Sequence, residues 1–225
     1  MIRFRHSDAI WSDFPQLVPG VLYAEDARPS SDPSRYWRIA AERLAGGPES
    51  ALPEIQAWRQ AFARMGLKPT QYRCAAESLL RRFRKDGSLP SIHPMIDLGN
   101  AVSLAFAIPV AVFDADALDG LLEVRYATGT EEYAAFSGDT EHAAPGEIVF
   151  ADEHGRAHAR RWTHRQSARS AVTPATRSVL IVAEALHTTA AADVPRLLDA
   201  LSAELPGSEA TVLSRDAPEF RVKLR

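Results

Sequence analysis

Apolar positions recur along this chain with two periods. Strict alternation at residues 2–6 (IRFRH) and 121–126 (LLEVRY) predicts half-buried strands. The run 178–186 is almost wholly apolar and partly β-branched, as in a central strand. A shorter run at 110–113 predicts another core strand, and 18–24 one more with a Pro-Gly break inside it. Helical spacing appears at Ile55, Trp58, Phe62 and Met65, with Gly66 as the C-cap of a helix over 52–65. It appears again at Leu79, Leu80 and Phe83 in a helix from 75 that Gly87 stops, and at Val194, Leu197, Leu198 and Leu201 in one over 193–205. A short turn at 8–14, a loop at 28–34 and a helix over 35–44 capped by Ser34 complete the first third. Strands at 133–136 and 148–151 flank a loop at 137–147. A turn at 152–155, a strand at 156–162, a polar loop at 163–170 and strands at 210–213 and 219–224 complete the rest. Strands and helices without βαβ alternation predict an α+β fold, a mixed, largely antiparallel sheet flanked by helices.

The stretch 91–114 organises this pattern. Pro94 is favoured at a first helical position, where its missing N–H would be unpaired anyway, so His93 is the expected N-cap. His93, Asp97, Asn100 and Leu104 then stack on one helical face, at spacings of four, three and four. Met95, Gly99, Val102 and Phe106 form the buried face. A polar stripe so close to core is either solvated or lines a pocket.

Charge changes the picture more than composition does. The net charge of −3 argues against a generic nucleic-acid binder. Yet residues 156–177 hold six arginines, two histidines and no acid. Arg81, Arg82, Arg84 and Lys85 form a second basic group. Such a molecule can bind a polyanion locally, the alternative being that these are solvated arginines. The single cysteine, Cys74, permits no internal disulfide and fits a reducing compartment. No window approaches the ~18 apolar residues of a membrane span, and the N-terminus has no apolar core of signal-peptide length. The expectation is a soluble cytoplasmic protein. His154, His158 and His164 straddle a turn and a strand and do not read as a metal site.

Two motifs carry a family resemblance. P-S-I-x-P-x-x-D-x-x-N-x-V-S-L begins at Pro90, and I-P-V-A-V-F-D-A-D-x-L-x-G begins at Ile108. Later come Ser170-Ala171-Val172-Thr173, Thr176 and the apolar run 179–182. In this order they resemble the B3/B4 module of the bacterial phenylalanyl-tRNA synthetase β subunit over residues 70–190. The resemblance implies one B3/B4-like domain over 1–225, with 1–68 as an extension packed on the core and 191–225 as a helix-strand completion. In the synthetase this module removes wrongly attached tyrosine from tRNA. A free-standing version would hydrolyse mischarged aminoacyl-tRNA in trans, with the tRNA acceptor end as partner, no cofactor, no membrane and no DNA. The synthetase pattern has a histidine where this chain has Ala111 and a glutamate where it has Ala168, so the tyrosine-editing site does not carry over.

Other groups supply candidates. His93 is the natural base near neutral pH. Gln166 and Ser167 are expected to hold the ester carbonyl, and Asp97 and Asn100 the substrate ammonium. Tyr72, Arg73, Glu77, Trp162 and Arg165 are expected around the substrate, with Arg160, Arg161, Arg169 and the 81–85 group on RNA. The blander alternative is that Asp97 and Asn100 satisfy loop backbone and that Arg73 pairs with Glu77. The functional reading requires the acid–amide row and the arginine bend to face each other across one cavity. Two rivals stay open: a non-catalytic module binding tRNA or an amino acid, and a small-molecule enzyme on the same fold.

Overall fold

A computed structural model describes residues 1–25, 28–29 and 32–223. Positions 30 and 31 of the expected loop, and residue 224 of the last expected strand, lie outside them. The alternating N-terminus forms β1 (Ile2–His6), with Ile2, Phe4 and His6 buried. Helix α1 (Asp8–Asp13) buries Ile10 and Trp11 and leads into β2 (Val18–Glu25). Four helices follow: α2 (Ser34–Ala45), α3 (Pro53–Arg64), α4 (Ala75–Asp86) and α5 (Pro94–Phe106). The β-rich half comprises β3 (Val110–Asp114), β4 (Leu121–Tyr126), β5 (Glu132–Ala134), β6 (Thr140–His142), β7 (Ile148–Ala151), β8 (Ala157–Arg160), β9 (Arg165–Gln166) and β10 (Ser178–Ala185). Helix α6 (Ala190–Glu204) and strands β11 (Glu209–Val212) and β12 (Glu219–Val222) close the described chain.

The strands form a six-stranded sheet, β12-β1-β4-β7-β8-β9, a four-stranded sheet, β11-β2-β10-β3, and the β5-β6 hairpin. Among the described residues β1 and β4 pair in parallel, and the other strand pairs are antiparallel. The fold is α+β with mixed, largely antiparallel sheets. The N-terminal residues are threaded through it, since β1 lies between β12 and β4, and β2 between β11 and β10.

Side-chain parity on β10 defines three layers, because successive residues of a strand point to opposite faces. Val179, Ile181, Ala183 and Ala185 join Met95, Leu98 and Val102 of α5 and Val194, Leu197 and Leu201 of α6. Leu180 and Val182 point the other way, toward Phe4, Leu122 and Phe150 of the six-stranded sheet and Trp58 and Phe62 of α3. The four-stranded sheet is therefore the middle layer. Two glycines let the helices approach it. A Cβ on Gly20 would stand 2.7 Å from Val194 Cγ1, and one on Gly99 2.7 Å from Val112 Cγ2. The Pro19-Gly20 pair does not break β2; its glycine seats α6.

Four local expectations change. The strand expected through residue 162 stops at Arg160, the loop 137–147 contains β6, and the loop 163–170 contains β9 and a 3-10 turn at Ala168–Ser170. Ser34 is the first helical residue of α2 rather than its cap, and its N–H donates to Asp32 Oδ1 at 3.0 Å. Replacing Gly99 with Ala forces α5 off β3. It is expected to destabilise the protein by about 1–3 kcal/mol, read as a lower urea midpoint with an unchanged slope.

Candidate functional site

The site is organised by an unusual turn. Arg161 and Trp162, between β8 and β9, are adjacent non-glycine residues in left-handed backbone, with φ of 47° and 57°. Each such residue costs about 1–2 kcal/mol. The turn drives Trp162 into the core, where its ring meets Trp58 at 4.9 Å and Phe14 at 4.7 Å, both edge to face. Burying an indole removes roughly 150–250 Å² from water, worth about 4–6 kcal/mol, so the packing outweighs the strain. The Trp162 N–H donates to Ile148 O at 2.7 Å.

The Trp162 indole also meets a carboxylate. Its Nε1–H donates to Glu184 Oε1 at 2.8 Å, and His6 Nε2 lies 2.6 Å from the same oxygen. Trp58 Nε1–H donates to the Glu184 main-chain carbonyl at 3.2 Å. Glu184 is 2% exposed, on the Val182 side of β10 by strand parity. Its second oxygen, Oε2, meets no hydrogen-bond donor among the described residues. His6 Nδ1 is buried without a partner.

Above Glu184 lies a cavity of about 60 Å³. Its walls are Ala75, Pro109, Val110, Ala111, Phe150, Ala159 and Val182, and the loop 162–166 completes it. Phe150, Val182 and Trp162 are fully buried, whereas Thr163, His164, Arg165 and Gln166 are half-exposed, so these four form the rim. The start of α4 is tied to it, because the Ala75 N–H donates to Thr163 O at 2.8 Å. Gln166 bridges the sheets, its Nε2 donating to Val112 O on the free edge of β3 at 2.8 Å.

His164 has a defined tautomer. Its Nδ1 lies 2.8 Å from the Arg73 carbonyl, which can only accept, so Nδ1 carries the proton and Nε2 keeps the lone pair. Burial lowers its pKa below 6.5; the bond to Arg73 works against this, while the charges of Arg161, Arg165 and Arg73 add to the lowering. A neutral imidazole at the rim of a cavity is suited to accept a proton at neutral pH.

The sequence candidates divide into two groups. Trp162, Arg165 and Gln166 line the cavity. Tyr72 stands beside it, its ring 5.4 Å from that of His164 and 4.9 Å from the Arg161 guanidinium. Arg73 and Glu77 form an ion pair at 3.6 Å, and Arg59 joins Glu77 at 3.2 Å. The acid–amide row lies elsewhere, which corrects the expectation of one shared cavity. Helix α5 packs on the Val112 face of the middle sheet, whereas Ala111 and Val182 line the cavity from the opposite face. Asp97 accepts from Ser91 Oγ at 2.5 Å and from the Ile92 N–H at 2.9 Å, so it anchors the loop before α5. His93 is the cap, its Nδ1 accepting from Met95 N–H at 3.2 Å, and it lines a separate hollow with Thr176 and Arg177. Asn100 is half-buried on α5 and lines neither the cavity nor that hollow. Ser167 is buried, donating to Ala134 O and accepting from Arg169 N–H.

The acid-free arginine run is not acid-free in space. Arg160 is 5% exposed, with Nε and Nη2 on Glu147 at 2.8 and 2.9 Å and Nη1 on Glu141 at 2.6 Å. It presents no free face to a phosphate, which corrects its expected place on RNA. Arg165 also reaches Glu141, at 3.3 Å. Arg82 pairs with Asp86 and Arg84 with Glu49, while Arg81, Lys85 and Arg169 are exposed without an ion pair among the described residues. No group of three or more His, Cys, Asp or Glu among the described residues is placed to hold a metal ion. Cys74 caps α4, and burial pushes its thiol up to about 12, which removes it as a nucleophile. No helix of the described chain is long and apolar enough to cross a membrane.

A family model, the B3/4 domain, matches residues 57–202, and this chain belongs to that family. Every residue lining the cavity falls inside that span. The phenylalanine–tRNA ligase beta subunit of Neisseria gonorrhoeae is 40% identical over 75 residues, 33% of this chain and 9% of that protein. The corresponding subunit of Bradyrhizobium diazoefficiens is 38% identical over 79 residues, 35% of this chain and 10% of that protein. The chain thus spans about a tenth of the length of these relatives. An N-terminal fragment of the phenylalanyl-tRNA synthetase beta-subunit from Pyrococcus horikoshii superposes on 93% of this chain and 50% of that one, with a TM-score of 0.48 and 11% identity.

Two residues escaped the sequence reading as site groups. Glu184 is an acid inside a continuous apolar strand, a signal present in the sequence. His164 had no such signal, since its tautomer depends on a carbonyl 91 positions away. Arg160→Ala removes the guanidinium from the Glu147 carboxylate, which then keeps only the main-chain N–H donors of Ala144 and Arg161. It is expected to cost about 3–5 kcal/mol in chemical denaturation, the signature of a structural arginine.

Proposed function

We propose that this protein acts in trans on aminoacyl-tRNA, hydrolysing the ester of a mischarged acceptor end. The observation that carries this reading is the position of Ala111. The family resemblance sets a histidine of the synthetase's editing pocket at that residue, and here it lines the cavity closed by the 162–166 loop. In this reading the tRNA end stays at the half-exposed rim and only the aminoacyl side chain enters.

The rim residues suit ester hydrolysis. Water held by the lone pair of His164 Nε2 attacks the ester carbonyl carbon, and its proton passes to that nitrogen. The tetrahedral intermediate expels the ribose oxygen, which recovers the proton, leaving a free amino acid and a tRNA hydroxyl. Gln166 spends one amide hydrogen on Val112 O and has a second for the developing oxyanion. Helix α4 begins at the cavity and carries Arg81 and Lys85 about 9 and 15 Å further along its axis. Those cations are spaced to follow an acceptor stem away from its end.

Binding without hydrolysis is the rival reading, favoured by Ala111 and Ala168 standing where the synthetase pattern has a histidine and a glutamate. A panel of mischarged tRNAs separates the two. Deacylation is expected, with His164→Ala lowering it by about 10²–10⁴-fold in protein that stays folded. Because burial lowers the His164 pKa, the rate is expected to stay flat across neutral pH and to fall only below 6.5. tRNA that binds with no deacylation of any member supports the rival. Arg81→Ala and Lys85→Ala are each expected to weaken tRNA binding and flatten its dependence on log salt by about one unit. A salt slope unchanged in both variants removes α4 from the tRNA path.

A further inference from the structure

Glu184 is the acidic side chain that lines the cavity, and it is its deepest polar group. A buried carboxylate costs several kcal/mol unless its oxygens are met. Here both protein donors, Trp162 Nε1–H and His6, converge on Oε1. Oε2 has no donor among the described residues, and it is not a sealed, unpartnered atom either. It is left for whatever occupies the cavity. The walls between it and the rim are hydrocarbon: Ala111, Phe150, Ala159 and Val182. The other charges on the lining do not compete for it. Arg165 sits at the rim on Glu141, and His164 is held neutral.

We infer that the cavity selects an aminoacyl group with a cationic side chain, its methylene stem against the apolar walls and its ammonium or guanidinium on Glu184 Oε2. This rests on the reading of the cavity as the aminoacyl site and names its substrate class. Depth decides which cation of the substrate is meant. The α-ammonium is one carbon from the ester carbonyl and stays with it at the rim, whereas Glu184 is 2% exposed at the base. A long side chain with a terminal charge spans that depth, as lysine and arginine stems do when they cover apolar surface and end on a polar group. A neutral aliphatic or aromatic side chain would leave Oε2 desolvated and unmet.

The test uses amide-linked 3′-aminoacyl-adenosine analogues carrying arginine, citrulline, lysine and leucine, titrated calorimetrically into the full chain. Citrulline matches arginine in shape without its charge. Arginine and lysine analogues are expected to bind at least tenfold tighter than citrulline and leucine. In Glu184→Gln the arginine analogue is expected to fall to the citrulline level, with the leucine analogue changed less than twofold. Equal binding of arginine and citrulline by the unmodified protein overturns the inference, and that comparison decides even if the variant does not fold. So does a Glu184→Gln variant that weakens leucine and arginine alike, because the carboxylate then serves the α-ammonium or the fold. In both cases the cavity stands as the aminoacyl site. Failure of all four analogues to bind overturns that reading and this inference with it.

Discussion

Glu184 stands in β10, a strand whose eight residues are all buried. Burial of a carboxylate there is tolerable only because two partners reach Oε1 from distant places, His6 from the first strand and Trp162 from the turn between β8 and β9, while Trp58 of α3 donates to the main-chain carbonyl of the same residue. Each of these also ties a layer of the fold to the middle sheet. The left-handed backbone at Arg161 and Trp162 follows from the same demand, since it carries the indole inward to its oxygen. The loop that leaves this turn, 163–166, is thereby fixed as the rim of the cavity. One buried acid thus forms the polar base of the cavity.

The placement of the cavity explains why the α5 stripe is structural. A strand alternates faces, so β3 presents Ala111 to one layer and Val112 to the other. Gly99 lets α5 approach Val112 closely, which commits the helix to the face away from the cavity. Asp97 and His93 then serve the helix itself, one pinning the preceding loop and the other capping the first turn. The cavity lies on the opposite face, where the loop 162–166 meets the start of α4.

Much of this was legible in the sequence where local rules decide. Alternation located β1 and β4, the apolar run located β10, and Pro94 after His93 located the start of α5 and its cap. What was not legible depended on contacts between distant segments. Arg-Trp carries no turn signature, because turns with positive φ favour glycine and asparagine. The strand was accordingly expected to run through Trp162. The arginines of 156–177 looked unopposed because Glu141 and Glu147, which neutralise Arg160, arrive through the pairing of other strands. Membership of the B3/4 family was readable from two short motifs in order. Which face of the sheet held the site was not, because strand parity needs the register of β3 on β10.

In the proposed function the hollow walled by Ala111, Val182, Trp162 and Glu184 receives the aminoacyl group. A crystal structure with a non-hydrolysable aminoacyl-adenosine analogue tests this. The acyl side chain is expected between Ala111 and Val182, with the adenosine outside the rim formed by His164 and Gln166. Density for the acyl group on the α5 side of the sheet, beside His93 and Asp97, would contradict it.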